Sequence, residues 1–116
     1  MMAPLSLKLE PPANPARFNS YRATDLKQHL DGNGIREVVV CGNMSHMCVD
    51  AVTRASADFG YPVTVIHDAC ASRALECNGV TVPANLAHAA FMSALGFAYA
   101  RMMSTDEYVG SAAKAA

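Results

Sequence analysis

The chain has no tryptophan, and only 16% of its 116 residues are Asp, Glu, Lys or Arg. Nine basic residues against ten acidic ones leave a formal charge of −1, which offers no basic surface for nucleic acid or any other polyanion. No apolar run approaches the ~20 residues of a membrane span, and the N-terminus lacks the charged region and apolar stretch of a secretory leader. A cytoplasmic location is therefore expected, with no nucleic-acid or membrane partner. Cysteine is sparse as well, at four residues. Cys41 and Cys48, like Cys70 and Cys77, are too far apart for a C-x-x-C zinc or redox site, and all four fall within an α/β pattern, not between the turns of a small secreted scaffold. They are expected to be reduced, and no metal and no cofactor are expected.

What is present centres on Val38-Val39-Val40-Cys41-Gly42-Asn43-Met44-Ser45-His46-Met47-Cys48-Val49. The run Val38 to Cys41 has no polar alternation, so it reads as a strand buried on both faces, the mark of a parallel sheet flanked by helices. Gly42 permits a sharp exit. Cys48 then falls where a helix begins, in the loop zone beyond a strand's carboxyl end where open parallel sheets bind ligands. The first amides of a helix have no internal acceptor and carry the positive end of the macrodipole. A thiol there is expected to ionise below its unperturbed value of ~8.5, and the same amides can hold an oxyanion, each donor typically worth ~3 kcal/mol in acyl transfer. Cys48 is thus the candidate nucleophile, with Met44, Ser45 and Met47 as the oxyanion loop. Against this stands the ordinary role of a free cysteine as a small buried hydrophobe.

Gly42 to Arg54, followed by Asp58-Phe59-Gly60-Tyr61-Pro62-Val63-Thr64-Val65-Ile66-His67-Asp68-Ala69-Cys70-Ala71-Ser72-Arg73, resembles the isochorismatase-like cysteine hydrolases, a family that includes nicotinamidases and amidohydrolases. The shared pattern is a glycine, a loop ending Ser-x-x-Cys-Val, a helix with Thr-x-Arg, then Gly-Tyr-x-Val-x-Val and Asp-Ala-Cys. Phe18-Asn19-Ser20-Tyr21 to Leu26, Val80 to Ala84, His88 to Phe91 and Ser104-Thr105-Asp106-Glu107 are similar too. The resemblance implies a hydrolase that cleaves a small amide or related C–N bond through a Cys48 acyl-enzyme. It implies also a triad of aspartate, lysine and cysteine, with the aspartate on a strand upstream and the lysine just before the Asn-Ser segment. This sequence has Asn14-Pro15-Ala16-Arg17 at the latter place, and Lys8 is the nearest earlier lysine. Arg17 is no simple substitute, since a guanidinium stays protonated and has different donor geometry. The chain is accordingly expected to hold the C-terminal portion of such a domain, truncated, with its activity impaired by the missing Asp and Lys. The metal-binding Asp-x-His-x-His of nicotinamidases has no match here.

The coarse element pattern supports an α/β fold, a three-layer α-β-α arrangement with a parallel sheet. By the resemblance it is a truncated Rossmann-like isochorismatase fold with about three strands of a usual six. Thr24 or Asp25 caps a helix reaching Gly32, and Asn33-Gly34 stops it. A strand over 38–42 leads to a helix over 46–59 ended by Gly60, then a strand over 62–68. A loop over 71–82 precedes a helix from Pro83 to Leu95 stopped by Gly96, a strand over 97–103, and a short helix after Ser104. Residues 1–16 form an N-terminal extension, 17–109 the partial domain and 110–116 a flexible tail. The extension holds Leu5-Ser6-Leu7-Lys8-Leu9-Glu10, whose period-two alternation suits an edge strand, although Pro11 and Pro12 also fit disorder.

Other residues carry paired readings. Asp68 and Cys70, at a strand's carboxyl end, are pocket candidates or, respectively, a loop cap and core packing. His46 is a pocket candidate and a weaker substitute base, because residues two apart near a helix start point in different directions. Ser45 caps the helix, joins the oxyanion pocket, or both. The resemblance places a non-prolyl cis peptide at Met44-Ser45. Cys41 is expected in the core, Cys77 in a loop and His88 packed among Leu86, Phe91 and Leu95. The strand at Val38 is an apolar edge that self-association would cover, so a homo-oligomer acting on a small-molecule substrate is expected. The alternatives to a hydrolase are a non-catalytic remnant acting in binding or assembly, and a redox sensor using Cys48 and Cys70.

Overall fold

The computed structural model describes residues 18–115. The Leu5 to Glu10 segment, Lys8, Pro15 and Arg17 lie outside the described residues. The elements in order are α1 Leu26–Gly32, β1 Val38–Asn43, a π-helical turn Ser45–Val49, α2 Asp50–Asp58, β2 Val63–Ala71, β3 Leu75–Cys77, β4 Val80–Val82, α3 Ala84–Ala98, β5 Arg101–Met103 and α4 Thr105–Ala115. No described helix is long and apolar enough to cross a membrane.

The sheet is parallel, in the order β1-β2-β5. Val38, Val39 and Val40 pair with Val63, Thr64 and Val65, and Val65 and Ile66 pair in turn with Met102 and Met103. The register slips between Val40 and Gly42, so that Gly42 comes to face Cys70 and Asn43 to face Ala71. Side chains alternate across a strand, which sends Val40, Val63 and Val65 into one cluster with Tyr21, Leu30, Val49, Val52, Tyr61, Met92 and Leu95. Ile66 and Met103 are buried outside that cluster, and α4 packs against β2. Leu95 has no exposed surface, and burying a side chain of that kind contributes roughly 1.5–3 kcal/mol.

Burial on both faces belongs to the central strand β2, where Val65 and Ile66 are adjacent and both buried, and not to β1. Among the described residues β1 pairs only with β2, so it is an edge strand with Val40 buried, Val39 half-buried and Cys41 exposed. Cys41 is therefore not a core residue: it sits one step from Val40, on the face turned away from the helical cluster.

Helix ends follow local chemistry. The Schellman pattern at the end of α2 has Tyr61 N donating to Ser56 O and Gly60 N to Ala57 O, with Gly60 at φ 93°. At α4 the Ser104 hydroxyl accepts from Glu107 N while the Glu107 carboxylate accepts from Ser104 N, a reciprocal capping box. α4 then runs on through Ala115, into the segment expected as a tail, because its alanines and Lys114 are strong helix formers.

Three further expectations are corrected. Gly96 does not stop α3, which continues to Ala98; a Cβ at this position would stand 3.1 Å from Met102 Cγ, so the glycine serves the close approach of helix and strand. The last strand is consequently only Arg101–Met103, and Phe97 is a helical residue with 93% of its surface exposed. The loop over 71–82 contains a hairpin, β3 against β4, turning on Asn78 and Gly79 at φ 49° and 80°. Those angles are the left-handed pair of a type I′ turn, and Cys77 lies on its first strand.

Candidate active site at the carboxyl end of the sheet

β1 ends at Asn43, and the chain passes through a cis peptide between Asn43 and Met44 into the turn that carries Cys48. The cis bond falls one residue before the expected Met44-Ser45 position. Met44, extended at φ −100° and ψ 152°, is the cap of the turn, and its carbonyl accepts from Met47 N at 3.0 Å and from Val49 N at 3.2 Å. The second of these bonds spans five residues and gives the turn its wide π geometry, a form that often marks functional sites. The Met47 amide is committed to Met44 and so is not a free oxyanion donor. Cys48 is half-buried on this turn.

Two serine–imidazole pairs hold the turn. Ser45 is completely buried, and its hydroxyl meets His88 Nδ1 on α3 at 2.6 Å. Ser45 therefore makes no side-chain cap bond; its oxygen is turned across to α3. His46 Nδ1 meets the Ser72 hydroxyl at 2.8 Å, just beyond the end of β2, and the ring stands edge-on to Phe91 with centroids 6.0 Å apart. Burial, and then the charge of Arg73, hold the His46 pKa below its ordinary 6.5.

The other pocket candidates are used differently. Cys70, brought beside Gly42 by the register slip, directs its thiol to the Ile66 carbonyl at 3.3 Å, and burial pushes its pKa up. Asp68 is exposed and accepts from both the Thr105 amide and hydroxyl at 2.8 Å, which lowers its pKa and ties β2 to the start of α4. Asp50 accepts from Arg54 at 2.9 Å, and the Arg54 guanidinium lies over the Tyr99 ring. The geometry thus gathers Met44, Ser45, His46, Met47 and Cys48 on one turn, sets Cys70 beside its entry and engages Asp68 at α4. Ser72 was not among the sequence candidates. A lone serine after a strand carries no pattern, and its contact with His46 bridges 26 positions.

The lowered His46 value has a pH consequence. Below about 6.5 the unfolded chain takes up a proton that the folded imidazole resists, so stability held above that pH is lost as pH falls toward the lowered folded value. Thermal unfolding followed by circular dichroism should show the midpoint falling between roughly pH 7.5 and pH 5, with a smaller fall in His46→Gln. An equal fall in the variant would contradict this role for His46.

Comparison with known proteins agrees with this architecture. The isochorismatase domain model matches residues 6–106. An uncharacterised isochorismatase family protein of Bacillus subtilis is 44% identical over 91 residues, covering 78% of this chain and 51% of that protein. Streptothricin hydrolase of Streptomyces noursei is 36% identical over 81 residues, covering 67% of this chain and 29% of the hydrolase. The crystal structure of an isochorismatase hydrolase from Oleispira antarctica superposes with a TM-score of 0.77 at 58% identity, covering 80% of this chain and 49% of that one. The chain spans about half the length of the first and third of these relatives and less of the second. With the domain model matched across most of its length and its fold shared with a solved structure of the same family name, the chain belongs to the isochorismatase family.

Proposed function

We propose that this chain carries the nucleophile of a cysteine hydrolase that cleaves a small amide or related C–N bond through a Cys48 thiolate and an acyl-enzyme. The observation that carries the reading is the place of Cys48: half-buried, on a π turn beyond the carboxyl end of β1, braced through Ser45 and His46. The likeness to streptothricin hydrolase, a hydrolase by name, supports it. In the proposed reaction the Cys48 sulfur attacks the carbonyl carbon and a C–S bond forms. The tetrahedral oxyanion collapses with cleavage of the C–N bond, the amine leaves with the proton given up by the thiol, and water then hydrolyses the thioester to a carboxylic acid. The proton needs a carrier. Asp50 and Asp68 are engaged by Arg54 and Thr105, and the family resemblance gives this role to an aspartate.

Cys48→Ala and Cys48→Ser, assayed against a panel of small primary amides and ureido compounds, should lose activity by at least about a hundredfold, since the acyl-enzyme route is closed. Hydrolysis at the wild-type rate in both variants would overturn the reading.

One observation favours a second reading, assembly through the sheet edge. Among the described residues β1 has an unpaired edge, with Val38 and Val39 half-buried and Cys41 exposed, a template for pairing with a second copy. Sedimentation velocity at micromolar concentration should then show a dimer or larger species, and a monomer would contradict self-association at this edge.

A further inference from the structure

We propose that His88 is a positioning residue that sets the geometry of the Cys48 turn through Ser45, a role that rests on Cys48 being the nucleophile. Ser45 and Cys48 are the first and fourth residues of the π turn, so a rotation of the backbone at Ser45 carries the thiol with it. The Ser45 side chain has no contact with solvent, and a buried hydroxyl left unpaired keeps the full penalty of its lost hydration. Its partner in the structure is His88 Nδ1, 2.6 Å away and 43 positions along the chain. That bond is the polar link between the turn and α3.

The surroundings make the link directional. His88 follows Ala87, a buried residue of α3, and α3 is fixed to the sheet by Met92 and Leu95 in the core cluster. The helix thus offers a fixed partner at the Ser45 end of the turn, whose other end is rooted by Val49 in the same cluster. His46 braces the same turn through Ser72, just beyond the end of β2, and packs edge-on against Phe91 of α3. Loss of Ser72 would leave a half-exposed imidazole that water can satisfy; loss of His88 would leave a hydroxyl that water cannot reach. The two braces are thus unequal, and His88 is the one on which the turn depends.

Alkylation of a thiol follows its ionisation and its access to reagent, both set by how the turn is held, so the test reads the reactivity of the thiol itself. The intact chain would be labelled with iodoacetamide and the rate at Cys48 read by peptide mass mapping, with exposed Cys77 as internal reference. His88→Leu keeps the bulk of the ring and removes its hydrogen-bonding nitrogen. It should change the Cys48 to Cys77 labelling ratio by roughly tenfold, through altered ionisation and exposure of the thiol. His88→Asn places an amide oxygen and nitrogen close to where Nδ1 stood and serves whichever tautomer is present, so it should restore the ratio to within about twofold. Ser45→Ala removes the buried hydroxyl without stranding it, and should move the ratio in the same direction as His88→Leu. A wild-type ratio in folded Ser45→Ala would overturn the proposal even if His88→Leu failed to fold, as would failure of His88→Asn to restore the ratio. These labelling outcomes are independent of hydrolysis: loss of the hydrolase reading would appear as full activity in Cys48→Ala, whatever the labelling ratios.

Discussion

The parallel pairing of β1 with β2, and the slip in its register after Val40, is the constraint on which the site depends. Up to Val40 the two strands advance in step, and Val38, Val40, Val63 and Val65 fill the helical face of the sheet. Beyond it, Gly42 and Asn43 come to face Cys70 and Ala71. The end of β2 is thereby laid alongside the exit from β1, which brings Ser72 within hydrogen-bonding distance of His46. Had the strands kept step to their ends, β2 would have left the sheet at another level and the turn would lack one of its braces. Gly42, at φ 135°, occupies a backbone conformation that residues with a Cβ rarely adopt, at the point where this adjustment occurs.

The turn that follows is held by polar contacts drawn from two other elements, α3 and the loop after β2. Each is a serine–imidazole pair, one buried and one half-exposed. Van der Waals packing supplies the rest: Val49, with no exposed surface, anchors the end of the turn in the core cluster. Cys48 sits between Met47, whose amide closes the turn, and Val49, whose side chain roots it. A half-buried thiol in such a setting is held in place yet remains open to a small molecule, the combination that nucleophilic chemistry requires.

Much of this was legible in the sequence because it rests on local signals. The valine runs, Gly60 after α2 and the Ser104 to Glu107 box each specify an element through contacts within a few residues. The parallel sheet and the place of Cys48 at the start of a helical segment follow from that order of elements. What was not legible depended on distant partners. Gly96 looked like a stop because its reason, the approach of Met102, is tertiary. Cys41 looked like core because the composition of a strand does not reveal whether a neighbour covers its second face. Asn78-Gly79 is a strong hairpin signal, but its flanks are short and exposed, so no burial pattern supported it. Asp68 and Ser45 were recognised as polar groups near the site, yet their partners, Thr105 and His88, lie 37 and 43 positions away.

The central claim is that this turn presents Cys48 as a nucleophile that bonds to substrate. The most direct measurement is a rapid acid quench during turnover of an amide substrate, followed by peptide mass mapping. The account predicts an acyl fragment of the substrate attached to the peptide that contains Cys48, rising and then decaying as product accumulates. Product accumulating while that peptide stays unmodified, or an acyl group mapped to Cys41, Cys70 or Cys77 instead, would contradict it.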